Sequence, residues 1–497
     1  MIESGKEPRS DVLILAAITA LALGLRLANA WCASLHLDDF HSLFHARAAS
    51  LAEFFSGALQ DNHPPLFFLV MRAARSLLGE GEFTLRLPAV LCGAATVPLV
   101  WRLARRLDSR ATQITAALLF ACSSLNLELS ADLRMYSLLT LAFAGFLEGL
   151  IELLERGRGI VRTAVWAFVG LHTHYHFVHC LVVTVAAAAV VLLWRPEVRR
   201  HLRSLVLALG IAGLFSLPWY ALGFPAQLRH GLPPGGSAIS PQRFLEGMVH
   251  LEYLNVRLGG PVLRWLFVGC GAIVLGLALL TGARIFLRRR AADGSPAELL
   301  LAAGAFALPA WSSAVAWLWP RAGYEWRYIA AAVAPLVVLV ALGAHAPGRF
   351  HRLRVGAAGL AIVAALWLSV LNVFDPGRED NRRAVGAILA RARPGDAVVA
   401  AEWQPRIFPH SGAWNYYAPR LLGAGQSVPL LLAHRADFSF PPGTDLSPYR
   451  RVFFFGRSIP NQVPLLLALR AEFGQETVES FGMSIQLVTF ERSGSGG

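Results

Sequence analysis

Long apolar runs alternate with short loops rich in arginine, and this alternation leaves the chain very few folds. A helix needs about 20 apolar residues to cross the hydrocarbon core of a bilayer. Runs of this order lie at Val12–Trp31, Leu87–Leu103, Ala111–Leu127, Met135–Leu154, Val161–Cys180 and Leu181–Trp194. Others follow at Leu205–Leu222, Val262–Ile285, Ala297–Trp319, Tyr328–Ala346 and Val355–Phe374, which makes about eleven expected spans. The period-2 alternation of an outer-membrane barrel is missing, so the expected fold is a polytopic α-helical membrane bundle. Composition points the same way. Apolar residues make up 55% of the chain and charged ones 15%, against about 25% charged in an average soluble domain. A soluble globule, a disordered chain and a collagenous or disulfide scaffold are excluded.

The charges between the runs orient the bundle. Lys6 and Arg9 precede the first run, and clusters follow every second one: Arg102, Arg105, Arg106 and Arg110, then Arg156, Arg158 and Arg162. The series continues with Arg195, Arg199, Arg200 and Arg203, then Arg284 and Arg288 to Arg290, then Arg349, Arg352 and Arg354. All fall on one side, which the positive-inside rule makes cytoplasmic, so the N-terminus is expected inside and the C-terminal end outside. The formal charge of +13 is thereby largely topogenic, and no basic–aromatic pattern calls for nucleic acid. Ala28-Asn29-Ala30 has the form of a signal-peptidase site, but the preceding run is long, carries Arg26 and is followed by more of its kind, so it reads as a span. Cys32, Cys92, Cys122, Cys180 and Cys270 lie scattered in or beside spans, without metal or disulfide spacing, as small packing residues.

The texture changes after about Asp375. Arg382–Arg393 reads as an amphipathic helix closed by Pro394-Gly395-Asp396, Asn461–Phe473 as a second helix, and Ala397–Ala401, Arg451–Phe455 and Ser484–Phe490 as strands. The expected organisation is a membrane module over 1–374 and a small extracytoplasmic α/β domain over 375–497, ending in a disordered tail from Ser493. It has no glycine-rich phosphate loop, and the chain shows no internal repeat.

Several polar residues break the apolar pattern without a topogenic reason. The first outer loop, about Cys32 to Arg86, contains Asp38-Asp39 and then Asp61-Asn62-His63-Pro64-Pro65-Leu66. Two adjacent aspartates are either a solvated loop or helix cap, or a carboxylate poised at the lipid boundary as a general base or cation holder. Leu66–Leu78 carries Arg72 and Arg75 and at 13 residues is too short to span, so it is expected as an amphipathic interfacial helix opened by the prolines. The second outer loop carries Asp132, Arg134 and Tyr136. Arg134 either snorkels or pairs with Asp132, or clamps a lipid phosphate. His172, His174, His176 and His179 end the fifth run. On one continuous helix His174 would point away from the other three, which favours hydrogen-bonding histidines over a metal site. The fifth outer loop holds an aromatic belt of Trp319, Tyr324, Trp326 and Tyr328, with Arg327 at the mouth of a span as snorkeller or phosphate ligand. Snorkelling alone does not explain why all these groups fall on one side.

In this order the residues resemble the membrane-embedded C-type glycosyltransferases, most closely the family 39-like bacterial branch related to protein O-mannosyltransferases and the lipid A aminoarabinose transferase. The resemblance runs from about Val12 to Pro335 and rests on Asp38-Asp39, His63-Pro64-Pro65-Leu66, Asp132-x-Arg134-x-Tyr136, Thr173-His174-Tyr175 and Arg327-Tyr328-Ile329. Asp-Asp stands where the family has Asp-Glu, and Asp132 where it has Glu, so both carboxylates are kept one methylene shorter. No β-trefoil module of the eukaryotic O-mannosyltransferases is visible, so a protein acceptor is not implied.

The resemblance implies transfer of a sugar from a polyprenyl-phosphate-sugar to an acceptor at the outer face of a bacterial cytoplasmic membrane. The acceptor class stays open among lipid, glycan and protein. It implies Asp38 as base with Asp39 in support, and Arg134, Arg327, His63 and His174 around the donor phosphate, backed by Asp132, Tyr136, Tyr328, Pro64 and Pro65. One base opposite a departing phosphate predicts inversion at the anomeric carbon. No cofactor is required, because arginines can neutralise the phosphate and a divalent metal is optional. A transporter or flippase of lipid-linked sugars is the rival from another class, and it would show broken helices with ionisable groups near the midplane. A non-catalytic assembly subunit and a hydrolase of lipid-linked sugars are the others.

Overall fold

A computed structural model describes residues 8–229, 261–288, 295–318, 326–374, 379–402, 411–422, 427–434, 439–457, 464–482 and 485–492. The chain divides into two units, one of Met1–Trp31 with Ala49–Asp375, the other of Cys32–Ala48 with Pro376–Gly497.

The first unit is a helical bundle, as the apolar runs predict. Among the described residues, eight helices are long and apolar enough to cross a membrane: Arg9–Cys32, Glu82–Arg105, Tyr136–Arg156, Phe177–Trp194, Pro196–Arg229, Val268–Leu287, Pro296–Leu318 and His351–Phe374. The other three expected runs are shorter or broken helices, at Arg110–Ala121 with Ser124–Ser130, at Ile160–Thr173, and at Val333–His345 after a 3-10 turn over Trp326–Ala332. Tyr136–Arg156 is the central rod: 89% of its apolar window is buried, against 17% for Arg9–Cys32 at the periphery. Its own Phe143 and Phe146 pack against Phe177, in one core cluster with the Val337–Val340 stretch. Its hairpin partner is Ile160–Thr173, and Gly149 lets the two backbones close up, since a Cβ there would lie 2.9 Å from the Thr163 hydroxyl. Gly157 ends the first helix at φ +70° and Gly159 opens the second at φ +91°, conformations a side chain would strain.

At one end of this hairpin the arginines expected as topogenic also have structural partners. Arg106 meets Glu148 at 3.0 Å and Glu155 at 3.2 Å, and Arg162 meets Glu148 and Glu152 at 2.7 Å each. The helix Leu66–Leu78 forms over the expected residues, with Pro65 as its N-cap, and it buries Phe67, Phe68, Met71 and Ala74 along one face.

The second unit contains one five-stranded sheet built from β1 (Asp396–Glu402), β2 (Leu430–His434), β3 (Arg451–Arg457), β4 (Gly474–Phe481) and β5 (Ile485–Arg492), in the order β2-β1-β3-β5-β4. The pairs β1/β2 and β1/β3 are parallel, and β3/β5 and β4/β5 antiparallel. Val452, Phe453, Phe454 and Phe455 of the central β3 are all buried, the continuous apolar run of a strand covered on both faces. The helix Pro464–Phe473 packs Leu465, Leu466, Leu469 and Phe473 against Val452, Phe454, Val488 and Phe490. The expected helix at Arg382–Arg393 is Asn381–Arg391, with Asp380 capping it through the Arg383 N–H at 3.0 Å. Among the described residues of this unit the helices Leu37–Ala46 and Ser411–Leu421 and strands β2 and β4 were not expected from the sequence. The expected tail from Ser493, the first residues of the expected helix Asn461–Phe473, and Trp319 and Tyr324 of the aromatic belt lie outside the described residues.

Candidate active site

The second outer loop is built around two arginines that an apolar bundle should resist. Arg26 and Arg86 are both fully buried, and a guanidinium at that depth is costly unless its donors find acceptors. The acceptors are backbone carbonyls freed where the third run breaks at Cys122-Ser123 and ends at Ala131. Arg26 donates to the Ala121 carbonyl at 3.1 Å and to the Ser130 hydroxyl at 3.2 Å. Asn29 donates to the Leu127 carbonyl at 3.0 Å, and Arg86 to the Ala131 carbonyl at 2.6 Å. The turn after Ala131, which carries Asp132 and Arg134, is thereby anchored from both flanking helices. Both of these carboxylate and guanidinium side chains are buried, each 4% exposed. The sequence reading used Arg26 only to argue against a signal peptide. The signal that could have found its role was an arginine inside an apolar run that no topological rule requires.

Opposite Arg134 stands the His63 loop. Asp61 Oδ1 accepts from the backbone N–H of His63 at 3.0 Å and lies 3.1 Å from the ring Nδ1. That bond leaves His63 Nε2 as an acceptor, and Arg134 Nη2 approaches it at 3.4 Å. Pro64 and Pro65 are buried beside it and lead straight into the helix Leu66–Leu78.

The histidine-rich stretch differs from its expected form. Val161–Cys180 is not one span: the helix stops at Thr173, His174 is extended (φ −156°, ψ 137°), and the next helix begins at Phe177. His174 therefore does not point away from its neighbours as it would on an unbroken helix, and its ring lies 6.3 Å from that of His176. His176 and His179 do stack, their rings 5.0 Å apart, and the His176 ring reaches the Ser312 hydroxyl at 3.4 Å. Tertiary bonds hold the break open. The Tyr175 hydroxyl donates to Gln227 Oε1 and accepts from Trp219 Nε1 at 3.0 Å. Gln227 Nε2 donates to the carbonyls of His63 at 2.9 Å and Ala58 at 2.7 Å. Gln227 thus ties the two histidine loops together, and nothing in the sequence marks it. Gln227→Leu keeps the size but leaves the Tyr175 hydroxyl and the His63 carbonyl short of a buried partner, at a cost of about 2–4 kcal/mol. The expected result is a thermal unfolding temperature several degrees lower, read by differential scanning fluorimetry in detergent.

His174 turns into the His63–Arg134 group. Its ring lies 5.2 Å from that of His63, 5.9 Å from Tyr136 and 4.9 Å from Tyr328, centroid to centroid. Its Nδ1 accepts the His176 backbone N–H at 3.0 Å, which puts the ring proton on Nε2. Nε2 is buried and has no hydrogen-bond partner among the described residues. The Arg327 guanidinium lies over the Tyr136 ring, 5.5 Å from its centroid, a cation–π contact. The first unit therefore gathers His63, Arg134, Tyr136, His174, Arg327 and Tyr328 in one place.

Asp38 and Asp39 belong to the second unit, in the first turn of the helix Leu37–Ala46. Asp39 is fully buried and closes a capping box: its Oδ2 accepts the His36 backbone N–H at 3.1 Å, and its Oδ1 lies 3.6 Å from the His36 ring. Asp38 is half-buried.

The fold of the chain has counterparts among solved structures. Solved structures of ArnT from Cupriavidus metallidurans match it at 14% identity, with a TM-score of 0.54 over 96% of this chain and 97% of that one for the form bound to undecaprenyl phosphate. The apo form gives 0.52, over 95% and 97%. The oligosaccharyltransferase AglB from Archaeoglobus fulgidus matches at 12% identity and a TM-score of 0.48, over 82% of this chain and 63% of that one. Residues 62–220 match the family model described as dolichyl-phosphate-mannose-protein mannosyltransferase. No curated protein sequence matches the chain. The chain is thus a multi-pass membrane protein with an ArnT-like fold, and its residues 62–220 are similar to that mannosyltransferase family.

Proposed function

We propose that the protein transfers a sugar from a polyprenyl-phosphate-sugar to a hydroxyl or amino acceptor at the outer face of a bacterial cytoplasmic membrane, with inversion at the anomeric carbon. The observation that carries this is the buried Nε2–H of His174, a donor with no acceptor among the described residues, facing a group that already includes Arg134. An unmet buried donor costs about 1–3 kcal/mol and calls for a ligand that relieves it. Beside guanidinium groups that ligand is an anion, and a lipid-borne phosphate is the anion an apolar bundle can deliver. ArnT, whose fold this chain shares, has been solved with undecaprenyl phosphate.

In the reaction Asp38 takes the acceptor proton as the acceptor atom attacks the anomeric carbon. The bond from that carbon to the phosphate oxygen breaks, and its electron pair leaves with the polyprenyl phosphate. Arg134 and the His174 Nε2–H offset the charge growing on that oxygen, with Arg327 held nearby by Tyr136. His63 is given a different part from the one first expected: with Nδ1 on Asp61 and Nε2 facing Arg134, it orients the guanidinium. Tyr328 packs against His174 and fixes its ring plane.

The test uses the purified full chain in nanodiscs with radiolabelled undecaprenyl-phosphate mannose and a bacterial envelope lipid extract. The expected products are labelled acceptor and free undecaprenyl phosphate in equal amounts. Movement of intact labelled donor across the bilayer without cleavage would instead establish the flippase.

A further inference from the structure

We infer that the C-terminal unit is the platform that positions the acid-bearing helix, with Tyr417 and Asn381 as the positioning residues, an inference that rests on Asp38 being the base. The segment Cys32–Ala48 groups with Pro376–Gly497, although about 330 residues of bundle separate them in sequence. The grouping has a specific chemical basis. Four backbone groups at the entrance to the helix Leu37–Ala46 are each met by a side chain of the C-terminal unit. The Ala33 carbonyl accepts from Arg382 Nη2 at 2.9 Å. The Leu35 N–H donates to the Tyr417 hydroxyl at 2.8 Å, and the Leu35 carbonyl accepts from Asn381 Nδ2 at 2.9 Å. The Leu37 N–H donates to Glu379 Oε2 at 3.0 Å.

Side chains add to these backbone bonds. The Ser34 hydroxyl lies 3.2 Å from the Tyr417 hydroxyl and accepts the Arg382 N–H at 3.1 Å. Phe40, one residue past the acid pair, packs against Tyr416 and Tyr417 at centroid distances of 6.1 and 6.4 Å. Gly412 admits it: a Cβ there would sit 3.1 Å from Phe40 Cβ.

This arrangement does more than stabilise a loop. The first N–H groups of a helix have no intrahelical partner and set the direction of its first turn. Here Asp39 takes the His36 N–H and Glu379 the Leu37 N–H. Asp38 lies between these fixed points, so its direction is set by the C-terminal unit. A misplacement of a base by about 1 Å costs on the order of 100-fold in rate. Because the grip is mainly on backbone, the residues that carry it sit in the C-terminal unit and not beside the acids in sequence.

The experiment compares the wild-type chain with Tyr417→Phe and Asn381→Ala, all full length in nanodiscs, by hydrogen exchange, undecaprenyl phosphate titration and sugar transfer. In both variants amide exchange across 34–46 should quicken about tenfold while strands β3 and β5 stay protected. Transfer kcat should fall about 10- to 100-fold with undecaprenyl phosphate affinity unchanged, a split that general destabilisation would not give. Unchanged exchange across 34–46 in both variants would overturn the inference. Loosened exchange with wild-type kcat would overturn the catalytic part and leave the sugar-transfer reading standing. A wild-type chain that neither binds undecaprenyl phosphate nor transfers sugar would sink that reading, while the exchange result still decides who holds the helix. If Tyr417→Phe also loosens the sheet, Asn381→Ala, which keeps the aromatic core whole, decides.

Discussion

Asp38→Asn is expected to lower sugar transfer on the order of 1,000-fold while undecaprenyl phosphate binds within about twofold of wild type. The neighbouring acid should behave differently. Asp39 is fully buried, with one oxygen on the His36 backbone N–H and the other facing the His36 ring. Those contacts give it the work of a helix cap, and a cap removed costs about 1 kcal/mol of local stability. Asp38 is the more exposed of the pair. Asp39→Asn should therefore quicken exchange at the start of the helix Leu37–Ala46 and reduce transfer less than Asp38→Asn does. Single-turnover transfer with preloaded donor measures both. Transfer by the Asp38→Asn protein within about tenfold of wild type would remove Asp38 as the base.

The membrane bundle was legible because one constraint dominates it: an apolar stretch long enough to span leaves a mark that survives without any knowledge of packing. The strands β1 and β3 were legible for a similar reason, as buried strands carry unbroken apolar runs, and β5 by its alternation, with Gln486 and Thr489 between buried apolar residues. What escaped depends on distant partners. The helix break at His174 follows from Tyr175 reaching Gln227, 52 residues on, and an apolar run with histidines in it reads as continuous helix until that bond is known. The helix Ser411–Leu421 is aromatic-rich and carries Pro419, so its own propensity argues against it. Strand β4 is polar and mostly exposed, paired on one side only, to β5.

The candidate site shows the same division. Asp38, His63, Arg134, His174 and Arg327 stood out because charge and imidazole are rare in an apolar chain. Arg86 and Gln227 did not, because their parts consist of bonds to carbonyl groups that any sequence possesses. The attachment of the acid segment to the C-terminal unit was equally invisible: Leu35 meets a residue 382 positions away and Leu37 one 342 away.

Arg134→Ala is expected to weaken undecaprenyl phosphate binding about 100-fold, because a charge-assisted pair to a desolvated phosphate contributes about 1.5–3 kcal/mol. His174→Ala, which removes one neutral N–H, should cost about tenfold. The two losses should combine to less than their product, since both groups hold the same anion and each single variant already lets the phosphate shift. Arg134→Lys separates charge from shape: it restores the cation but not the planar fork, and it cannot keep the His63 contact in the same geometry, so it should recover only part of the affinity. Undecaprenol, which has the same tail and no phosphate, is the control. It should bind all five proteins, the double variant included, alike, because the apolar walls that hold it are untouched. Titration by intrinsic tryptophan fluorescence measures the series, and undecaprenyl phosphate binding by Arg134→Ala at wild-type affinity would mean that the anion sits elsewhere. A loss shared equally by undecaprenol would mean that Arg134 supports the groove and does not read the phosphate.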